Sequence, residues 1–246
     1  MSSSNNTMTN ENLKETILAT YSNGQPILMA VDCIIFGVEN NQLKLLIFKR
    51  EVEPLAGHWS LLGRFVRPDE SVDTAAENVL HELTGIRDIY MEQLHCFGDS
   101  NRDSGGRVVS VAYWSLIKVD QNQDEFSIDH HEAKWVPFDQ VPELILDHGD
   151  MVTMAIENLR ERARFHPIGF ELVPKQFTLL QLLKVYEAIF SHPIDDRNFR
   201  KKILKSGLLT KLEKKDMSTS KKGSFLYEFN EETYQKLLKE GYNFEF

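Results

Sequence analysis

The hydrophobic and polar positions in the first two thirds of the chain predict alternating strands and helices. Two β-rich runs, starting at Ile27 (ILMAVDCIIFGV) and Leu43 (LKLLIFKR), flank a polar Glu-Asn-Asn turn and predict a β-hairpin. Between Asp69 and Thr84 apolar residues recur at spacings of three and four, and Gly85 follows, which predicts a helix that ends there. Three further strands are predicted at Met91 to Cys96, Arg107 to Val119 and Ala133 to Val136. A second helix is predicted from Met151 to Phe165.

A different pattern begins after residue 166, where the sequence HPIGF interrupts the chain with proline and glycine. Thr178 and Gln181 have the spacing of a capping box for one amphipathic helix. Asp195 suits the N-cap of a second helix, which ends before Gly207. Two β-rich segments, Leu208 to Leu212 and Phe225 to Phe229, then enclose a loop of lysine, serine and glycine. The order of helix, turn, helix and β-hairpin is that of a winged helix-turn-helix domain.

These two patterns divide the chain into four parts. We expect a flexible polar tail over residues 1–25, an α/β domain over 26–166, a linker over 167–176 and a winged-helix domain over 177–246. A chain of 246 residues is long enough for two domains with their own cores.

Composition excludes several classes of protein. With 41% hydrophobic and 26% charged residues, the chain is typical of globular proteins and not of disordered or fibrous ones. No apolar run approaches the roughly 18 residues of a membrane span, and MSSSNNTMTN lacks the features of a signal peptide. We therefore expect a cytoplasmic protein with no membrane partner. Cys33 and Cys96 are too few for a disulfide scaffold or a four-ligand zinc site.

The net charge of −9 hides two opposed regions. Residues 197–222 contain ten Lys and Arg against two acids, a local charge of +8, whereas residues 1–176 contain fifteen basic and twenty-seven acidic residues, a local charge of −12. A basic segment in an acidic protein favours a nucleic-acid contact confined to the second domain, although a solvated surface is the simpler alternative.

Residues 64–86 resemble the Nudix family. Its signature is Gly, five residues, Glu, seven residues and then Arg-Glu-aliphatic-x-Glu-Glu-x-Gly-aliphatic. In this chain Arg64 stands in the place of the glycine, Glu70 follows at the required spacing, and NVLHELTGI begins at Asn78. The flanking sequences LLGRFV, PDES and AA also match. The resemblance implies a Nudix-type mixed β-sheet/α sandwich for the first domain.

The chemistry of the signature is largely lost. Nudix enzymes hold a divalent metal against a diphosphate with carboxylates of this helix, and positions 79, 82 and 83 share one helical face. Only Glu82 remains there, because Val79 and Leu83 are apolar, and Asn78 replaces the arginine that would orient a carboxylate. One carboxylate is a poor Mg²⁺ site, so we expect no catalytic residues, no bound metal and no cofactor, with Mg²⁺ required only if the chain is a hydrolase.

Three residues of the signature have two interpretations each. Glu70 and Glu82 are vestigial Nudix positions. In one interpretation they contact a ligand. In the other they have only structural roles, as part of a solvated helix face or in a hydrogen bond within the loop. Arg64 either contacts an anionic ligand or is a surface residue where the family has glycine.

Because the degenerate Nudix box precedes a basic winged helix, the chain resembles the Nudix-related transcriptional regulators. This group includes repressors of NAD metabolism that respond to ADP-ribose and sugar-catabolism regulators that respond to arabinose. The matches include VDCIIFG, RDSGGRVVSVAY, DHGDMV and PIGFELVPKQFTL. Ser104 and Gly105 stand where the group usually has Pro and Arg before the Gly, which favours the Bacteroides-type sugar regulators.

The leading hypothesis is thus a homodimeric transcriptional regulator that binds double-stranded DNA. Its Nudix-like domain senses a small molecule, for which a pentose is favoured over ADP-ribose. Candidate ligand contacts are Arg50, Glu70, Glu82, Arg102, Asp103, Arg107 and His148. Candidate DNA contacts are Arg197, Asn198, Arg200, Lys201, Lys202, Lys205, Lys214, Lys215, Lys221 and Lys222. The alternatives are a Mg²⁺-dependent hydrolase of a nucleoside diphosphate derivative such as ADP-ribose, and a binding module with no role at DNA.

Overall fold

A computed structural model describes residues 14, 21, 24–50, 53, 55–84, 91–119, 125–128, 131–218, 222–242 and 244 of the chain. The tail expected over residues 1–25 lies almost entirely outside these described residues.

The predicted hairpin forms the centre of a mixed sheet. Its strands are β1 (Leu28–Glu39), β2 (Gln42–Lys49), β3 (Trp59–Ser60), β4 (Leu62–Phe65), β5 (Glu92–Phe97), β6 (Val108–Lys118), β7 (Glu125–Ile128) and β8 (His131–Pro137). The order is β5-β6-β1-β2-β8-β7, with β3 paired to β2 and β4 paired to β1. Strands β1 and β6 are parallel, and the other pairs are antiparallel. Asn40 and Asn41 both have positive φ, as a tight hairpin turn requires.

Each face of this sheet is covered by a helix, α1 (Val72–Thr84) on one face and α2 (His148–Phe165) on the other. Side chains alternate along β1, so Val31 and Cys33 pack in the core under α1 while Ile34 and Phe36 pack in the core that contains residues of α2. Since β1 is apolar on both faces, it reads as a continuous hydrophobic run. The Nudix-type sandwich that we predicted is confirmed.

The C-terminal region has the predicted winged-helix order with two additions. Its elements are β9 (Phe177–Thr178), α3 (Leu179–Phe190), α4 (Asp196–Lys205), β10 (Leu209–Asp216), β11 (Ser224–Phe229) and α5 (Glu231–Lys239). The capping box of Thr178 and Gln181 forms at α3, and Asp195 caps α4 by accepting the backbone N–H of Asn198 at 2.8 Å. The short strand β9 and the helix α5 were not predicted.

The segment expected to be a linker over residues 167–176 is packed rather than open. Ile168–Leu172 forms a 3₁₀ turn, and the buried Phe170 ring stacks on Phe229 with 4.4 Å between ring centroids. A Cβ on Gly169 would lie 2.6 Å from the ring of Tyr186, so only glycine lets the turn approach that ring. The two regions therefore share a continuous core, and the exact domain boundaries stay a prediction.

No helix in the described ranges is both long enough and apolar enough to cross a membrane.

Candidate functional site

The Nudix-box residues form an ion-paired cluster under α1. The guanidinium of Arg64 donates from Nη1 and Nη2 to the two carboxylate oxygens of Glu70, at 2.5 and 2.8 Å. Glu70 also accepts the backbone N–H of Arg67 at 2.8 Å and the side-chain amide of Asn78 at 3.3 Å. The hydrogen bonds from Arg64 and then from Arg67 hold the pKa of Glu70 down at about 2.

Glu82 completes this cluster at its solvent side. Its carboxylate lies 3.6 Å from Nε of Arg64 and 3.5 Å from Nη2 of Arg67, and its side chain is 44% exposed. Arg64 is therefore not a free surface residue, and contact between its guanidinium and an anionic ligand stays a prediction. It is turned inward because β4 places it opposite Val31, on the face that α1 covers.

These residues do not fit a divalent metal. Of the helix positions that hold the metal in the family, only Glu82 has a carboxylate, and it lies within 4 Å of Arg64 and Arg67. The buried Val79 supplies no oxygen, and the nearby Glu70 accepts hydrogen bonds from Arg64, Arg67 and Asn78. Within the part of the chain that the structure describes, no three His, Cys, Asp or Glu side chains are placed to hold a metal ion.

Replacing Glu70 with Gln is expected to flatten the dependence of stability on pH in acid. Because the folded-state pKa is about 2 and the ordinary value is 4.5, the stabilisation is present above pH 4.5 and is lost as the pH falls towards 2. Urea unfolding at pH 6, 4 and 3 measures this. The difference between wild type and Glu70→Gln should shrink steadily with falling pH, and a difference that is constant over that range would contradict it.

A second polar cluster lies buried on the opposite face of the sheet, at the start of α2. Arg102, with a side chain only 3% exposed, donates from Nε and Nη2 to the two oxygens of Asp147, both at 2.7 Å. Its Nη2 also lies 3.8 Å from the buried Asp32. Asp32 in turn accepts the hydroxyl of Ser110 at 2.5 Å. This cluster joins β1, β6, the loop around Arg102 and the N-terminus of α2.

The hydrogen bonds of His148 fix its tautomer in this cluster. The backbone N–H of Leu61 donates to Nδ1 at 3.1 Å, so Nδ1 is the unprotonated nitrogen. The proton then sits on Nε2, which faces Oδ1 of Asp32 at 3.6 Å. A Cβ on Gly63 would lie 2.1 Å from that same Asp32 oxygen, so the neighbouring strand has to carry glycine here.

The predicted ligand residues thus fall into separate groups. Glu70 and Glu82 lie together under α1, whereas Arg102 and His148 lie together in the buried cluster. Arg102 pairs with Asp147 and not with Asp103, whose carboxylate accepts the backbone N–H of Gly105 at 2.7 Å.

Arg107 and Arg50 belong to neither group. Arg107 is exposed and donates to the carbonyls of Gly98 and Asp99 at 2.9 and 3.2 Å. Arg50 is half-buried, and its Nε has no hydrogen-bond partner among the described residues. Ligand contact by any of the seven residues stays a prediction.

Sequence reasoning missed Asp32, Ser110 and Asp147 as members of the buried cluster. One signal was present: Asp32 is a single acid inside an apolar run, and a carboxylate in such a position requires a polar partner. The identity of the partners was not readable, because Ser110 is 78 residues away.

The second helix of the winged helix, α4, presents a basic outer face. Its Phe199 and Ile203 are buried, and this burial turns outward the exposed residues Arg197, Asn198, Lys201, Lys202 and Lys205. Arg200 is half-buried and forms an ion pair with Asp196 at 2.7 Å. The N-terminal end of α4 therefore carries an exposed arginine and an exposed amide, the side chains used for contacts to base edges.

The hairpin of β10 and β11 forms the wing. Lys214, Lys215 and Lys222 are exposed on it, and Lys221 lies outside the described residues. Lys211 and Lys215 place their ammonium groups 3.7 and 4.6 Å from the centre of the exposed Phe225 ring. These contacts hold two cations on the surface of the wing.

Comparison with known proteins matches both parts of the chain. Residues 27–154 match the family model of the NUDIX domain, and residues 169–229 match that of the NrtR DNA-binding winged helix domain. The chain is 32% identical to the ADPR responsive transcriptional repressor NtrR of Acinetobacter baylyi over 211 residues, which cover 84% of each protein.

Two crystal structures of proteins from Shewanella oneidensis are similar to the structure of this protein. NrtR complexed with a 27mer DNA is 27% identical, with a TM-score of 0.69 over 88% of this chain and 97% of that chain. The NUDIX domain of the same NrtR, complexed with ADP ribose, is 32% identical, with a TM-score of 0.52 over 62% of this chain and 99% of that chain. The chain therefore belongs to the family of Nudix-related DNA-binding transcriptional regulators, in which a Nudix domain is followed by an NrtR-type winged helix.

Proposed function

We propose that the protein binds a double-stranded DNA operator as a homodimer and that its Nudix domain controls this binding by sensing ADP-ribose. The observation that carries the proposal is the similarity to an ADPR responsive repressor over 84% of the chain, because the matched region includes both the Nudix domain and the winged-helix domain. The Nudix domain crystallised with ADP ribose, at 32% identity, supports the same ligand. A cytoplasmic location follows from this function, since the regulator has to reach its DNA.

Hydrolysis of the ligand is not part of the proposal. A Nudix hydrolase needs its metal against the diphosphate, and here the guanidinium of Arg64 engages both Glu70 and Glu82. The domain then serves to bind a ligand and not to turn it over.

The pentose that the sequence analysis placed before ADP-ribose is not supported by the similar proteins, which are named as ADPR responsive or were crystallised with ADP ribose. It is kept only as the second candidate effector, on one observation. Arg64 and Arg102 are both neutralised by carboxylates, so neither offers free positive charge to a diphosphate. A sugar needs directed hydrogen bonds to its hydroxyls and no net charge, so the pairing of either arginine with a carboxylate does not count against it. The ribose of ADP-ribose is itself a pentose, so the two candidates share one recognisable group.

We propose a dimer because the DNA-recognition surface of one winged-helix domain is small. The exposed N-terminal part of α4 offers only Arg197 and Asn198 close to base edges, which specifies few base pairs. Two copies related by a twofold axis double these contacts and read a near-palindromic site.

Thermal unfolding with and without candidate ligands tests the effector. A ligand at a hundred times its dissociation constant adds about 2.7 kcal/mol of stability, which raises the melting temperature measurably. We expect ADP-ribose to give the largest rise, with arabinose, xylose, ribose, glucose and NAD as comparisons. A rise with one free pentose and none with ADP-ribose would replace the first candidate by the second. Mg²⁺-dependent turnover of ADP-ribose that is lost in Glu82→Gln would support a hydrolase instead.

A further inference from the structure

An arginine of the first domain contacts the turn between the two helices α3 and α4 of the second domain. Arg160 lies in the C-terminal half of α2, where Ile156 and Leu159 are buried in the core on one face of the Nudix sheet. Its guanidinium donates from Nε to the carbonyl of Ile189 at 3.1 Å and from Nη2 to the hydroxyl of Ser191 at 3.0 Å. Ile189 is in the last turn of α3, and Ser191 is the residue that follows this helix. Two hydrogen bonds therefore connect the Nudix domain to the turn that leads into the basic helix α4.

Helix α3 has no cation of its own at its C-terminal end. The last carbonyls of a helix lack a hydrogen-bond partner within it, and their partial negative charge favours a cation nearby. The last turn of α3 contains no basic residue. Burial lowers the pKa of Arg160, and among the described residues no carboxylate forms an ion pair with it. The charge of Arg160 is thus directed at the end of α3.

The conformation of Ser191 fits the same role. Its φ of 56° and ψ of 30° lie in the left-handed region, where a helix usually ends on glycine. A serine is more strained there than a glycine, but its hydroxyl supplies the acceptor for Arg160. Further along the turn, Glu187 of α3 accepts the backbone N–H of Ile194 at 3.1 Å. The start of the turn is therefore held by the Nudix domain, and its later part is held by α3.

We propose that Arg160 is a positioning residue for DNA binding, through which the Nudix domain fixes the turn before α4 and thereby the orientation of α4. The inference rests on the proposed DNA binding by α4 and is independent of which effector the Nudix domain senses. Phe199 and Ile203 anchor α4 in the core, so loss of the Arg160 contacts should loosen the turn without unfolding the domain. DNA then binds only those molecules in which the turn is ordered, which lowers the apparent affinity.

Arg160→Met in the full chain tests the proposal with two measurements. Hydrogen exchange of the free protein should become at least about threefold faster in peptides that contain residues 189–195 and stay unchanged in β1. The affinity for a duplex selected with wild type from a random pool should fall about fivefold. The slope of log K against log salt should stay as in wild type, because a residue that contacts no phosphate does not contribute to it. Arg160→Lys keeps the charge and a donor, so it should recover part of both losses.

Arg164→Met is the matched control. Arg164 is exposed near the same end of α2, where it lies over the ring of Phe190 at 5.9 Å, and its loss should leave both measurements close to wild type. Ser191→Ala removes the acceptor of Arg160, so its combination with Arg160→Met should cost less than the sum of the two single effects.

Three results would overturn the proposal. They are equal exchange around residue 191 in wild type and Arg160→Met, an unchanged DNA affinity despite faster exchange, and a fall in the salt slope of about one unit, which would place Arg160 on a phosphate. Failure of wild type to bind any duplex would count against the proposed function instead. The exchange measurement on the free protein would then still decide whether Arg160 holds the turn.

Discussion

Replacing Lys201 and Lys205 together with alanine is expected to weaken binding to every DNA duplex by more than about tenfold and to flatten its dependence on salt. Both side chains are exposed, and a spacing of four residues places them on one face of α4. Each lysine or arginine that contacts a phosphate contributes about one unit to the slope of log K against log salt. The slope should therefore fall along with the affinity.

Gel-shift or fluorescence-anisotropy titrations at several salt concentrations measure both quantities. Arg200→Ala is the internal control, because the guanidinium of Arg200 is held by Asp196 and its loss should weaken binding less. Asn198→Ala should instead reduce the preference for the operator over unrelated DNA with a smaller change in the salt slope. If the double variant binds like wild type, α4 is not the element that contacts DNA.

The elements that local chemistry specifies were predictable from the sequence. The hairpin turn at Asn40 and Asn41, the capping box of Thr178 and the cap at Asp195 each depend on residues within a few positions of one another. Such signals are complete within a short window, so the sequence contains them in full. A local signal for α5 exists as well, since Asn230 caps it through the N–H of Thr233 at 2.9 Å, but the β-rich interpretation of the C-terminus passed over it.

The parts that could not be predicted depend on distant residues. Strand β9 exists because Phe177 and Thr178 pair with Tyr227 and Leu226 in β11, and nothing near residue 177 reveals that partner. The buried cluster likewise brings Asp32 to His148 across more than a hundred positions. Arg64 lies between these cases: its replacement of glycine was visible, but its burial depends on α1 folding back over β4.

Replacing Arg102 with methionine is expected to lower the free energy of unfolding by about 3–5 kcal/mol, because it leaves the buried carboxylate of Asp32 and the half-buried carboxylate of Asp147 without their cation. Methionine has a similar length, so the loss of packing is small in comparison. Urea titration followed by tryptophan fluorescence measures the change.

Arg107→Met is the matched control for this experiment. Arg107 is exposed and donates only to backbone carbonyls, so its loss should change the stability by less than about 1 kcal/mol. The comparison also decides how effector binding can be interpreted at the two arginines. If Arg102→Met loses effector binding together with stability, the loss of binding reflects collapse of the cluster around Asp32 and His148. If Arg107→Met keeps its stability but loses effector binding, Arg107 contacts the ligand. A fully stable Arg102→Met that still fails to bind effector would show that Arg102 contacts the ligand directly and that its pair with Asp147 contributes little to the fold.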